Sequence, residues 1–515
     1  MTDAKAGPEA IPPGDWIGFL AMCIGMFMAI LDIQIVASSL PRIGSALGIG
    51  ENGLSWIQTA YLIPEIIAIP LTGFLTRALS LRWLFAGSTL AFALASLACA
   101  LSSNFGELIL FRALQGFSGG ALIPAVFTSV FVIFPRRAHA MATVVAGSFA
   151  MIAPTLGPIL GGYLTETYSW HVIFLINVVP GIVVALFVIR FIRADKLNFS
   201  LLKSIDYSTV VLAALFLSSL MLLLKEGPKQ SWHGSDILLL ALFSTVSLAI
   251  TIQQCLSRPH PFVHLWKFAD PSFRTGALLS FTIGIGLYGA TYLMPVFLGY
   301  AGRQNPLQIG EIMIVAGIAQ LVAAPVAALV EPRLSPKWLG LFGFALFGAG
   351  LIANGFMTPR TLFDGLFWPQ VLRGVAVMAC ILPATRFALD HWPEAEVADA
   401  SALFNLMRNM GGAIGIALVD TVLQERAPVH VERLVERLQA GERTAAQFAG
   451  LPLERFTGHP LGPIDAFTRA LVKPLVERAA LTLASNEAWL LAGAIFVAAT
   501  LLLLLAPRSV GRTEN

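Results

Sequence analysis

Apolar residues in this chain come in blocks of about 20 or more, such as 81–101 and 206–224, each long enough as a helix to cross a ~30 Å hydrocarbon core. A transmembrane β-barrel would instead alternate polarity over ~10-residue segments. Charged residues make up 12% of the 515, about half the share found in soluble domains. The pattern predicts an all-α polytopic membrane protein.

Spans are expected near 15–39, 54–76, 81–102, 106–134, 139–165, 170–193, 206–224, 235–256, 273–299, 307–330, 337–357, 362–389, 397–423 and 484–506, about fourteen in all. Short loops carrying Lys and Arg mark the cytoplasmic side. Arg77, Arg82, Arg136, Arg137, Arg193, Lys196, Lys203, Arg258, Lys267, Arg333 and Lys337 fall on one side, against Arg42, Lys225, Lys229, Arg303 and Arg360 on the other. Both termini are therefore expected in the cytoplasm, as tails over 1–14 and 507–515. Between them lie a six-helix bundle (15–193), two inserted helices (194–270) and a second six-helix bundle (271–506). A long external loop is expected at 424–483, where 430–439 carries Leu434 and Leu438 on one stripe as a surface amphipathic helix. That helix is either a solvated face or a docking element for a partner. The start of the chain has no basic n-region, so no cleavable signal is expected.

Leu79-Ser80-Leu81-Arg82-Trp83-Leu84 recurs as Leu334-Ser335-Pro336-Lys337-Trp338-Leu339, an offset of 255 (334 − 79), which also carries Phe149 to Phe404 and Gly157 to Gly412. Two similar halves with a substrate site near the midplane are a common transporter plan. The net charge of +3 is too small and dispersed for nucleic acid. Cys23, Cys99, Cys255 and Cys380 have no metal-ligand spacing and read as packing residues, so no metal is expected. No phosphate-binding loop, metalloprotease or nucleophile-elbow motif occurs, which leaves neither an enzyme nor an ATPase. An ion gradient has to supply the energy, with no cofactor.

Asp32 and Glu65 fall inside the first two spans, where a carboxylate is costly and tends to serve an internal pathway. Arg112, on the fourth, is the cation best placed to tune them. For Asp32 the open readings are proton coupling and a structural hydrogen bond. Glu65 adds direct recognition of a cationic substrate. Arg373, Asn405, Arg408 and Asn409 lie in later spans. Tyr288, Tyr292, Trp368 and Phe404 line a cavity or simply pack.

The run Leu31-Asp32-Ile33-Gln34-Ile35-Val36 through Leu40-Pro41 resembles the first-helix signature of the fourteen-helix drug:proton antiporters of the major facilitator superfamily, the EmrB/QacA type. Gly73-Phe74-Leu75 through Arg82 is similar to the superfamily's loop motif. Arg112, Gln115, Gly116 and Gly120 resemble its fourth-helix motif. Pro154, Gly157-Pro158 and Gly161-Gly162 resemble the fifth-helix antiporter motif. Trp170, Asn177, Pro180 and Gly181 fit the helix that follows, and Asn405 through Gly415 resembles a late segment of the family. The loop motif departs from the pattern: Thr76-Arg77 stands where an acid is usual and Ser80 where a glycine is, so the acid's latch role does not carry over.

The resemblance implies the major facilitator fold, two six-helix halves plus two inserted helices, in the cell inner membrane. It implies proton-coupled export of small amphipathic or hydrophobic compounds by alternating access. Proton coupling would rest on Asp32, Glu65 and Arg112. Gating would rest on Gly73, Arg82, Gln115, Gly116, Pro154, Gly157, Pro158, Gly161 and Gly162. Substrate candidates are Gln34, Tyr288, Tyr292, Trp368, Asn405 and Arg408. A periplasmic adaptor and an outer-membrane channel are the implied partners. The alternative is a proton-coupled importer, or an exporter of one metabolite, on the same fold.

Overall fold

The computed structural model describes residues 11–48, 51–193, 197–201, 206–258, 261, 263–304, 306–456, 458, 461 and 466–505. Most of both expected tails, together with Lys196 and Lys203, lies outside them. Twelve helices among the described residues are long and apolar enough to cross a membrane, or up to 13 with the bent pair inside 136–167. One of these, Trp56–Ala100, is 45 residues long and covers two expected crossings, so the count is compatible with fourteen.

By their contacts the helices group into two units: Met1–Tyr207 with Ser257–Leu265 and Trp392–Asn405, and Ser208–Leu256 with Trp266–His391 and Leu406–Asn515. The first unit holds α1 (Pro13–Leu47), α2 (Glu51–Ala100), α3 (Phe105–Gly119), α4 (Leu122–Ile133), α5 (His139–Thr167), α6 (Val172–Leu175) and α7 (Val178–Phe191). The second takes α8 (Tyr207–Glu226), α9 (Ser235–Ser257), α10 (Pro271–Val296), α11 (Pro306–Val330), α12 (Pro336–Asn354) and α13 (Phe363–Leu389). α14 (Glu394–Gln439) begins in the first unit and continues in the second, which also contains α15 (Arg443–Ala449) and α16 (Ala466–Leu505).

Local chemistry sets the boundaries that matter. Asn104 caps α3 by accepting from the Glu107 backbone N–H at 3.0 Å, and Glu107 Oε2 accepts in return from the Ser103 N–H at 2.8 Å. The Asn104 bond satisfies one of the donors a helix start leaves open, and Glu107 ties the residue before the cap back to the first turn. α2 breaks at Ser80, whose φ of 62° and ψ of 156° are almost reserved for glycine. The break falls where the loop motif ordinarily carries glycine.

In the first unit, α1 lies against α5 with no room to spare. A Cβ on Gly157 would overlap that of Gln34, and one on Gly161 would overlap Ser38 Oγ. Ser39 Oγ bonds Thr165 Oγ1 across the same seam at 2.7 Å. α10 and α14 repeat the device in the second unit, where Gly411, Gly412 and Gly415 seat against Phe281, Tyr288 and Ile285. Small residues let helices approach closely where no hydrophobic effect drives them together. The repeat is thus one of packing as well as of sequence.

The segment 424–483 departs from the expected loop: α14 runs on to Gln439, α15 follows, and α16 starts at Ala466. Leu434 and Leu438 are buried in a small core with Ala445, Ala446, Ala449, Phe456, Val476 and Ala479. The apolar stripe of 430–439 is therefore covered by the chain's own helices, and its charged face points outward. All four cysteines are buried and free.

Candidate functional site

The first unit buries an ion pair at its centre. α1 contributes Asp32, whose Oδ2 accepts from Arg112 Nη1 of α3 at 2.5 Å, both side chains being fully shielded from solvent. Asp32 Oδ1 accepts from Gln115 Nε2 at 3.0 Å and from Asn177 Nδ2 at 2.8 Å. Arg112 also donates through Nη1 to Gln115 Oε1 at 2.6 Å and through Nε to the Ile57 carbonyl at 3.2 Å. Its guanidinium lies 4.4 Å from the centre of the Tyr61 ring and 5.9 Å from that of Phe174. Gln115 reaches on to Ser96 Oγ at 2.7 Å.

Burial strips both charges of water, and only good geometry with further hydrogen bonds offsets that cost. Here the carboxylate accepts three bonds and the cation stacks on an aromatic ring. A proton arriving at Asp32 would abolish the pair and leave Arg112 without its counter-charge. Arg112 Nη2 already has no hydrogen-bond partner among the described residues. The cluster is consequently poised to rearrange when the carboxyl changes charge. Gly116 lets α3 sit so close, since a Cβ there would overlap the Tyr61 carbonyl.

The i, i+3 spacing of Arg112 and Gln115 turns both toward α1, so Gln115, expected as a gating position, serves the acid instead. Asn177, matched as a motif position, is in fact a ligand of the acid. Tyr61, Ser96 and Ile57 went unrecognised, and no residue pattern singles them out. Glu65 is buried one turn beyond Tyr61 on α2 and makes no hydrogen bond or ion pair with a described residue.

The loop motif recovers an acid from elsewhere in the chain. Arg77 pairs with Asp399 on the first turns of α14, and His264 Nδ1 lies 3.0 Å from the same carboxylate oxygen. A Cβ on Gly73 would come within 2.8 Å of the Asp399 Cα, so glycine is required for this approach. The charge pattern is inverted: the cation sits on the motif and the acid on α14. Arg82 instead lies 5.2 Å from the Trp83 ring.

The remaining candidates are dispersed. Gln34 packs on Gly157, Gly162 has open space where its Cβ would stand, Pro154 is half-buried, and the side chain of Pro158 is outside the described residues. Asn405 is buried and donates to the Ser401 carbonyl at 2.9 Å. Arg408 is buried in the second unit, where its backbone meets Gly284. Tyr288 packs on Gly412, while Tyr292 donates to Asp420 Oδ1 at 2.7 Å. Trp368 is 67% exposed on the outside of α13 and stacks edge-on with Phe367, so the structure does not bring it to the others.

Apolar spans, a repeated glycine-packed plan and a shielded carboxylate define a polytopic helical membrane transporter. The sequence profile of the Major Facilitator Superfamily matches residues 22–416, and the chain belongs to that superfamily, within its EmrB-type multidrug exporters. It is 38% identical to the colistin resistance protein EmrB of Acinetobacter baumannii over 81% of this chain and 82% of that protein. The multidrug export protein EmrB of Escherichia coli K12 is 30% identical over the same shares. The crystal structure of the human organic anion transporter MFSD10 matches in fold, with a TM-score of 0.61 at 13% identity, covering 96% of this chain and all of that one.

Proposed function

We propose that this chain is a proton-coupled exporter of small amphipathic or hydrophobic compounds, of the multidrug efflux type, working by alternating access. The observation that carries the reading is Asp32, shielded from water and held by Arg112, Gln115 and Asn177. Protonation from the outer side neutralises Asp32, frees Arg112 and releases substrate. Loss of the proton to the cytoplasm restores the pair and, with it, affinity for the next molecule. Exchange of this kind requires proton and substrate to alter each other's affinity reciprocally. Glu65, buried beside the cluster, is the second titratable group of the cycle. The names of the two EmrB relatives support export of drugs.

In this reading the protein is not an enzyme, needs no cofactor beyond the proton gradient, and sits in the inner membrane with both termini in the cytoplasm. A periplasmic adaptor and an outer-membrane channel complete the route. With the apolar stripe of 430–439 covered, the adaptor would engage the charged face carrying Glu432, Arg433 and Glu436. Asp32→Asn preserves the shape of the acid and removes its proton. The variant is expected to fold, to hold substrate only as weakly as the protonated acid does, and to lose proton-driven transport in vesicles; transport at the unmodified rate would refute the assignment.

A further inference from the structure

The second unit contains a buried cation that the transport cycle above does not use. Arg373, 6% exposed on α13, donates from Nη1 to Gln370 Oε1 at 2.7 Å. Its guanidinium carbon lies 5.5 Å from the centre of the Trp489 ring and 5.8 Å from that of Phe347. Among the described residues no carboxylate pairs with it. α12 and α10 carry no acid at all, and the acid nearest Trp489 on α16, Glu487, is taken by Arg426 and His430. A guanidinium in hydrocarbon with no counter-charge is costly by several kcal/mol.

Around it stand further polar atoms without partners. Arg373 Nε, Trp489 Nε1 and both amide atoms of Asn354 hydrogen-bond to no described residue, although Trp489 and Asn354 are fully buried. Arg373 and Trp489 meet directly, and the residues around Asn354 pack on both their helices. Gly350, one turn before Asn354 on α12, seats against Arg373 Cγ, and Gly355, the next residue after Asn354, seats against Leu490, the next after Trp489. Buried donors left open in this way are rare in native structures.

The repeat shows what is missing. α3 and α13 both begin on phenylalanine, at Phe105 and Phe363, an offset of 258 (363 − 105). That register sets Arg112-x-x-Gln115-Gly116 against Gln370-x-x-Arg373-Gly374, with the cation moved by one turn. Asn354 stands at the offset of 255 from Cys99 (354 − 99), whose Sγ is 3.8 Å from Gln115 Oε1. In the first unit the donors of this motif converge on Asp32. α10, the counterpart of α1, offers no carboxylate to the second.

We propose that Arg373, Trp489 and Asn354 form an anion-binding site within the second unit, taking a monovalent oxyanion or halide in the place that Asp32 fills in the first. The guanidinium Nε–H and the indole N–H donate to it, and the Asn354 amide turns its NH2 inward. Two sources share this chemistry: chloride from solution, and the carboxylate of an amphipathic compound that the protein moves.

Thermal stability of the purified full chain in detergent tests it, with sodium chloride, bromide or decanoate compared against gluconate at equal ionic strength. A saturable rise in melting temperature with anion is expected, absent in Arg373→Gln. Trp489→Phe should weaken the apparent Kd by about tenfold, as for loss of one hydrogen bond to a charged group. Response to halides alone assigns a resident inorganic ion, and response to decanoate at lower concentration assigns the substrate's carboxylate. Arg373→Lys keeps the charge and should retain part of the response, which guards against a variant that merely unfolds. Crystals grown in bromide should show the halide's anomalous signal beside Arg373 Nε. Equal melting temperatures in all salts for the unmodified chain, or an unchanged response in Arg373→Gln, would overturn the proposal. Because the readout is binding, it stands or falls independently of proton coupling at Asp32.

Discussion

At the scale of single residues, the acid paired with Arg77 shows why a motif can be misread. The motif lacks its usual carboxylate, yet Asp399, on α14, supplies one from more than 300 positions away. No local pattern could have announced a partner at that distance. Reversal of either charge alone leaves two like charges facing each other, while exchanging both restores attraction. Arg77→Asp and Asp399→Arg should therefore each lower transport by at least tenfold, and the double variant should regain most of it; drug uptake by vesicles reads the result. Ser80 makes a second prediction. Its left-handed backbone stores about 1–3 kcal/mol of strain, part of which glycine would return as chain entropy. Ser80→Gly should raise thermal stability by about 1 kcal/mol in a melting experiment.

The central cluster was more legible than the latch, for a physical reason. A charge in an apolar span stands out against hydrocarbon, so Asp32, Glu65 and Arg112 could be singled out without a structure. Gln115 entered only through the fourth-helix motif, as a gating position, and the structure makes it a donor to Asp32. Tyr61 and Ser96 were not legible, because an aromatic or a hydroxyl in a span is ordinary until something charged touches it. Trp368 misled in the opposite direction: an aromatic in a span suits a cavity or a lipid-facing surface equally, and the fold puts it outside.

At the scale of elements, glycine placement decides which helices meet. Gly157 and Gly161 bring α5 onto α1, and α1 is the helix that carries Asp32. Leucine at Gly161 would force the seam apart at a cost of about 1–3 kcal/mol. The expected outcome is a folded, less stable protein with weakened coupling, seen as a reduced ratio of protons moved per substrate; unchanged coupling would assign the seam to packing alone. Helix boundaries were the less legible part. The sequence pattern breaks 424–483 into a loop because charged residues interrupt its apolar character, whereas the structure continues α14 through them and buries Leu434 and Leu438 with His430 on one stripe. Amphipathic helices outside a membrane need just one covered stripe.

At the scale of the whole molecule, the two units share a plan and divide the labour. Both pack paired helices through glycines, and both set a cation and an amide three residues apart ahead of a glycine. Among the described residues, only the first completes the arrangement with a carboxylate of its own. A duplicated scaffold can thus hold one titratable centre and one fixed cation. The offset of 255 made the duplication visible in the sequence, but the asymmetry emerged only once the partners of Arg112 and Arg373 could be compared.

Substrate-driven proton movement in proteoliposomes tests the central claim most directly, with the unmodified chain beside Asp32→Asn and a panel of lipophilic cations and weak acids. The account predicts protons moving against substrate in the unmodified chain, with the variant driving no proton movement when substrate is added. Protons and substrate travelling in the same direction, or exchange that survives in Asp32→Asn, would contradict it.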